Sequence, residues 1–353
     1  MLSPEDNELL TRVGPGTPMG ELMRRFWIPA LLEEEVAMPD GAPVKLRLLG
    51  EDLVAFKDTD GRIGILDAYC PHRRVNLYYG RNEECGLRCV YHGWKFDVDG
   101  NCTDMPSEPD KTNFAAKVSL TAYPTEIRAG VVWVYMGPKE AMPELPQFEW
   151  SYLPADRTAA TKRLQECNWA QAVEGGIDSA HISFLHANLG NAGRGNFNLK
   201  RDSFALTDRH PKFFLHDTDC GTQIGARRSA EDGRHYWRIT QFLMPFYTMI
   251  PPVMDGGDNS DGIPFGGHAW VPIDDENCWT GSYDYHPERD LTIAERQACL
   301  DGKGIHAPLI PGTYIPVQNK TNDYMMDREA QKNGESYSGI AGFAMQDGSL
   351  QES

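Results

Sequence analysis

Two groups of residues in this chain have the types and spacing that metal chemistry requires. The first is Cys70-Pro71-His72, followed after sixteen intervening residues by Cys89-Val90-Tyr91-His92. This order differs from that of zinc fingers, in which two cysteines precede two histidines. It suits a [2Fe–2S] centre with two cysteines on one iron and two histidines on the other. A structural zinc site is the alternative reading of the same four side chains. The second group runs from Glu174 to His186. Glu174, Asp178 and His181 fall at i, i+4 and i+7, one face of a helix. His186 lies five residues beyond His181, off that face, so the helix has to end, bend or loosen near Phe184 for the imidazoles to converge. Converging histidines beside carboxylates would bind iron or zinc. The alternative is an ordinary polar helix face.

Both groups need a scaffold, and the chain is long enough to build two. At 353 residues, 41% hydrophobic and 24% charged, it has the composition of a soluble globular protein with two cores. No apolar run reaches membrane-spanning length, and the acidic start Met-Leu-Ser-Pro-Glu-Asp lacks the parts of a signal peptide. Eight cysteines are far too few for a disulfide scaffold, which predicts a reducing, cytoplasmic setting and free thiols. A formal net charge of −17 argues against nucleic acid or an anionic membrane as partner. It leaves an anionic small substrate open, because local arginines can reverse the field inside a pocket.

Along the chain, Thr17-Pro18 opens a short helix, with Thr17 as cap. From Val44 the pattern turns to short alternating strands and tight turns, ending at Val131–Tyr135, so residues 40–137 read as a small antiparallel β domain. The proline-rich stretch Pro138–Pro154 reads as a linker, giving domains at 1–150 and 151–353. Asn168 caps the helix that carries the second group, and residues 188–196 form a Gly- and Asn-rich loop. Strands follow near residues 213–215, 236–243, 267–271 and 279–285, with a helix at 293–300. The fold class is α+β, with a mainly antiparallel sheet in the second domain.

Cys70-Pro71-His72-Arg73 and Cys89-Val90-Tyr91-His92-Gly93-Trp94-Lys95-Phe96 resemble the cluster loops of Rieske proteins, most closely those of the Rieske non-haem iron oxygenases. The likeness continues through Asn168-Trp169 to His186, which resembles the mononuclear iron segment of that family. It implies a Rieske [2Fe–2S] domain followed by a helix-grip catalytic domain. It also implies a cluster on Cys70, His72, Cys89 and His92, and Fe(II) on His181, His186 and a distant carboxylate. Asp347, in Gln346-Asp347, resembles that third ligand; Asp323 and Asp327 are rivals that suit a turn better. By the same resemblance Asp178 would bridge His181 to His92 of the partner subunit and carry electrons. That requires a homo-oligomer, a trimer or stacked trimers.

No Gly-rich dinucleotide loop is present, so an NAD(P)H-dependent flavin iron–sulfur reductase would have to supply electrons. Within the family, Asn7–Gly16, Asn319–Tyr324 and Gln346-Asp347 look like the phthalate dioxygenase branch. That implies cis-dihydroxylation of an aromatic dicarboxylate with O2. Buried carboxylates need cations, and Arg201 and Arg238 are the candidate clamps, with Ser179 as a donor beside Asp178. Surface or structural roles are the alternative for both arginines. A monooxygenase or O-demethylase, and a Rieske electron carrier, are the competing functions. The other six cysteines are expected to be small buried hydrophobes. The chain stops at Ser353, soon after Asp347, so helices that would close the pocket are expected to be missing or the chain to be a compact variant.

Overall fold

The computed structural model describes residues 2–109, 113–187, 203–251 and 262–353. The chain divides into two compact units. The first comprises Met1–Gln147 with Pro272–Asp275, and the second comprises Phe148–Val271 with Glu276–Ser353. The break after Gln147 lies inside the proline-rich stretch. No helix among the described residues is long and apolar enough to cross a membrane.

The first unit begins with helices α1 (Pro4–Thr11) and α2 (Pro18–Met23). Thr17 caps α2, its Oγ1 accepting from Gly20 N at 3.2 Å. Eleven short strands follow: β1 (Trp27–Leu32), β2 (Val44–Leu48), β3 (Glu51–Lys57), β4 (Ile63–Asp67), β5 (Arg81–Glu83), β6 (Gly86–Arg88), β7 (Lys95–Phe96), β8 (Cys102–Asp104), β9 (Ala122–Tyr123), β10 (Thr125–Arg128) and β11 (Val131–Tyr135). They form three antiparallel sheets, ordered β1-β11-β10, β2-β3-β4-β9 and β5-β6-β7-β8. Val54, Phe56, Leu66, Leu77, Leu87, Trp94 and Phe96 fill one core, and the sulfurs of Cys70 and Cys89 are part of it.

The second unit is built on a seven-stranded sheet. In chain order its elements are α3 (Glu149–Tyr152), β12 (Thr158–Gln165), α4 (Trp169–Ile177), α5 (Phe204–Thr207), β13 (Lys212–Thr218), β14 (Gly221–Ser229), β15 (His235–Leu243), β16 (Tyr247–Ile250), β17 (Phe265–Pro272), β18 (Cys278–Tyr285), α6 (Ile293–Leu300), α7 (Arg328–Lys332) and α8 (Phe343–Gln351). The strand order is β12-β18-β17-β16-β15-β14-β13. Helix α4 packs on β15 and β16, and α8 packs on α4. The architecture is α+β, a β domain followed by an antiparallel sheet gripping helices. The sheet face supplies a floor, and α8 and the segment after α4 supply the side chains above it.

Candidate functional site

In the first unit, two loops present the Cys/His pairs, and they close in the same way. Cys70 N donates to Val75 O at 2.9 Å and Cys89 N to Trp94 O at 2.8 Å, five residues on in both cases. Arg74 N and Gly93 N, four residues on, each return a bond to the cysteine carbonyl at 2.9 Å. Both closing residues have positive φ, 56° for Arg74 and 81° for Gly93. Glycine takes that conformation freely; arginine does so at a cost. The His72 and His92 rings stand 4.3 Å apart edge to face, and Trp94 stacks on His72 at 4.7 Å. Burial pushes the Cys70 thiol up to about 11, with the adjacent Cys89 sulfur adding to it. Among the described residues His72 Nδ1 is buried without a hydrogen-bond partner. Two sulfurs and two imidazoles thus meet, with one ring nitrogen left bare for a metal.

In the second unit the sequence pattern holds in part. Asn168 Oδ1 accepts from Ala170 N at 2.9 Å and starts α4. The helix stops at Ile177, not near Phe184 as the spacing predicts. The physical reason is Asp178. Its backbone is extended, and its carboxylate accepts Ala180 N at 2.8 Å and His181 N at 3.0 Å. That turn starts a separate short helical turn at His181–Ser183 and offers the chain an alternative to continuing α4. Glu174 is exposed and takes no part in the site.

The turn delivers His181, while His186, fully buried, stacks at 3.9 Å on Phe343 of α8. Their Nε2 atoms lie 3.2 Å apart. Asp347, from α8, places Oδ1 3.5 Å from His181 Nε2 and 3.3 Å from His186 Nε2. Behind each imidazole sits an acceptor that fixes its tautomer. His181 Nδ1 donates to Asp178 Oδ2 at 2.8 Å, and His186 Nδ1 to Gln346 Oε1 at 2.7 Å. Gln346 is held in turn, its Nε2 donating to Ser338 Oγ and Ile340 O. Both Nε2 lone pairs therefore face Asp347. Burial raises the Asp178 carboxyl, but the His181 ring and the two backbone N–H groups outweigh it and bring it to about 2. Burial lowers the His181 imidazole; the bond to Asp178 and the Asp347 charge more than offset this. Asp347 falls below its ordinary value against its own burial, drawn down by His186 and His181.

A small cavity of about 20 Å³ opens beside this triad. Gly175, Gly176, Asp178, His181, Arg238, Thr240, Ile250, His268, Trp270, Phe343 and Asp347 line it. Strand alternation turns Arg238 and Thr240 inward and leaves Trp237 and Ile239 exposed. Arg238 is 2% exposed, and Nη2 donates to Pro251 O at 3.0 Å. Among the described residues its buried Nε and Nη1 make no hydrogen bond by geometry, and the nearby Tyr236 favours its charge. Arg228 lies close enough that each guanidinium repels the other's charge.

Other predicted residues fall elsewhere. Ser179 is buried, does not line the cavity, and its Oγ accepts from Arg228 Nη1 at 3.2 Å. Arg228 Nη2 also donates to Ser179 O. Arg201 lies outside the described residues, as does the 188–196 loop. Asp327 caps α7 through Glu329 N and Ala330 N at 2.9 Å, while Arg328 turns to Gln331. Cys220 is exposed and Cys85 half-buried, against the expectation of burial for both. Cys85 sits in the β5–β6 turn and Cys220 in the β13–β14 turn, where no core reaches them. Sequence reasoning missed Arg228 and the role of Gln346. Alternation along β14, which turns Ile224, Ala226 and Arg228 inward, was the signal for the former.

A family model described as a Rieske [2Fe-2S] domain matches residues 26–124, and one described as LigXa C-terminal domain like matches residues 134–353. The phthalate 4,5-dioxygenase oxygenase subunit of Pseudomonas putida is 44% identical over 98% of this chain and 78% of its own length. The chain belongs to the Rieske non-haem iron oxygenases. The 3-chlorobenzoate-3,4-dioxygenase oxygenase subunit of Comamonas testosteroni is 39% identical over 99% of this oxygenase and 81% of its own length. Dicamba monooxygenase bound to 3,6-dichlorosalicylic acid shares the fold, with a TM-score of 0.63 at 18% identity over 94% of this chain and 95% of that one. As a Rieske oxygenase the protein uses a [2Fe–2S] cluster and a mononuclear iron. The residues present fit both. The bare His72 Nδ1 beside two buried sulfurs suits the cluster. Two imidazoles and a carboxylate on one side of a cavity suit ferrous iron.

Proposed function

We propose that the chain is the oxygenase component of a two-component aromatic-ring dioxygenase that cis-dihydroxylates an aromatic dicarboxylate of the phthalate type. The observation that carries this reading is Arg238, a buried guanidinium in the cavity beside the triad whose Nε and Nη1 have no hydrogen-bond partner among the described residues. A buried cation left half-unsatisfied calls for an anion, and the planar fork suits a carboxylate. Relatives named for phthalate and 3-chlorobenzoate support an aromatic carboxylate as substrate, and the first of them a dicarboxylate.

In this reading Cys70, Cys89, His72 and His92 hold the cluster, and His181, His186 and Asp347 hold the iron. Bound there, the two groups supply single electrons and a ferrous centre that activates dioxygen. Arg238 seats a carboxylate and orients the ring over the triad, while Trp270, Ile250 and Phe343 keep its apolar faces dry. Gln346 and Asp178 hold the Nδ1 protons of His186 and His181, so each imidazole presents Nε2. The Asp178 side chain keeps 37% of its surface exposed. That leaves it reachable by His92 of the partner subunit in a homotrimer, as an electron bridge. Each turnover consumes one dioxygen, an electron pair from an NAD(P)H-dependent flavin iron–sulfur reductase, and the matching protons. Both oxygen atoms end on adjacent ring carbons.

The test is turnover of phthalate with a reductase and isotopically labelled dioxygen. A cis-dihydrodiol carrying both labelled atoms is expected. A phenol carrying a single labelled atom, or aldehyde released from a methoxylated ring, rejects dioxygenation.

A further inference from the structure

We infer that the second unit holds another metal centre, a structural zinc site on Asp284, Cys299 and His306. The three come from different elements: Asp284 from β18, Cys299 from the last turn of α6, and His306 from the segment that follows it. Their donor atoms all lie within 4.8 Å of one another. Cys299 Sγ is 3.4 Å from Asp284 Oδ2, and His306 Nε2 is 3.4 Å from the same oxygen. An N–H···O bond at that length is a poor one. It is, however, the separation that tetrahedral ligands take: metal bonds of about 2.0 to 2.3 Å put neighbouring donors about 3.3 to 3.5 Å apart. The donor atoms of His181, His186 and Asp347 stand 3.2 to 3.5 Å apart, the same spacing.

Orientation agrees with distance. His306 Nδ1 lies 2.6 Å from Thr161 Oγ1 on β12, so an Nδ1–H donated there leaves the Nε2 lone pair facing Asp284 and Cys299. His306 and Cys299 are 2% and 4% exposed. Among the described residues Asp284 Oδ1 is buried and has no hydrogen-bond partner. A side chain at position 266 would bring its Cβ to 2.6 Å from that oxygen, so Gly266 keeps the space around the carboxylate open. Among the described residues no Lys or Arg pairs with Asp284; its ion-pairing partner is His306. A thiolate, an imidazole and a carboxylate converging in a buried place suit zinc. Binding it expels the thiol proton to solvent and ties α6 and the return segment to the sheet.

The experiment is elemental analysis and zinc-edge X-ray absorption on the holoenzyme, produced with added zinc and purified without chelator. About one zinc per chain, with a single sulfur at about 2.3 Å, is expected. Cys299→Ser should remove the zinc and its sulfur shell while iron content and the visible spectrum of the cluster stay unchanged. Thr161→Val should keep the fold and weaken zinc retention against a chelator by about 10- to 100-fold. No zinc in the wild type, zinc without sulfur in its shell, or zinc with two sulfurs overturns the assignment. The latter two place zinc on the iron triad or in the cluster loops, and they decide the matter even if Cys299→Ser fails to fold.

Discussion

Arg238 and Gln346 do different work at the same centre, and substitution separates them. Arg238 faces the cavity with Nε and Nη1, which have no hydrogen-bond partner by geometry among the described residues. Arg238→Gln should raise KM for phthalate by about 100-fold, the loss of about 3 kcal/mol expected for one partner of a buried charge-assisted pair. kcat should move far less, and turnover of a neutral aromatic should be nearly unchanged. Steady-state kinetics with both substrates would show it, and equal losses on both would sink the clamp. Gln346 never meets substrate. It holds the proton on His186 Nδ1, and Gln346→Leu leaves that N–H buried and unsatisfied. The expected result is about 10- to 100-fold weaker retention of the mononuclear iron with cluster iron unaffected, read by iron content after dialysis.

Among the elements, α4 shows where the sequence was legible and where it was not. Its start at Asn168 follows from capping. Its end does not, because the i, i+4, i+7 pattern from Glu174 to His181 reads as helix although Asp178 has taken the backbone bonds for itself. The cluster loops were legible from residue types alone, since their chemistry lies in Cys and His identity. The cavity was not: Trp270, His268 and Phe343 come from β17 and α8, and only the register of the sheet brings them to α4. Gly176 marks that contact. A Cβ there would sit 3.0 Å from the Trp270 ring and 3.2 Å from Thr248 Oγ1. Alanine gains about 1 kcal/mol in helix propensity, yet overpacking of this kind costs about 1 to 3 kcal/mol. Gly176→Ala should therefore lower stability by about 1 kcal/mol, measured by thermal unfolding, and any gain would show that α4 can move off the sheet.

For the molecule as a whole, acid sensitivity follows from one buried histidine. Burial in the sheet drives His268 from 6.5 down to about 3, with Arg163 and His306 adding to it. Unfolded, the same imidazole takes up a proton near pH 6.5. Between pH 6.5 and 3 the unfolded chain binds the extra proton, so stability is whole above that window and falls as pH drops through it. The slope should approach about 1.4 kcal/mol per pH unit from this group, and His268→Gln should flatten it between pH 6 and 4. An unchanged slope would mean that other groups carry the acid response.

Order along the chain is also order in time. Every cysteine and histidine of the first centre precedes residue 93, whereas Asp347 follows His186 by 161 positions. During synthesis the N-terminal domain can fold and accept its cluster while the second centre still lacks a ligand. Two-thirds of a ferrous site in a growing chain is a weak trap for metal. The mononuclear iron therefore has its full ligand set only once Asp347 has been made, so the electron store can be assembled before the centre that spends its electrons.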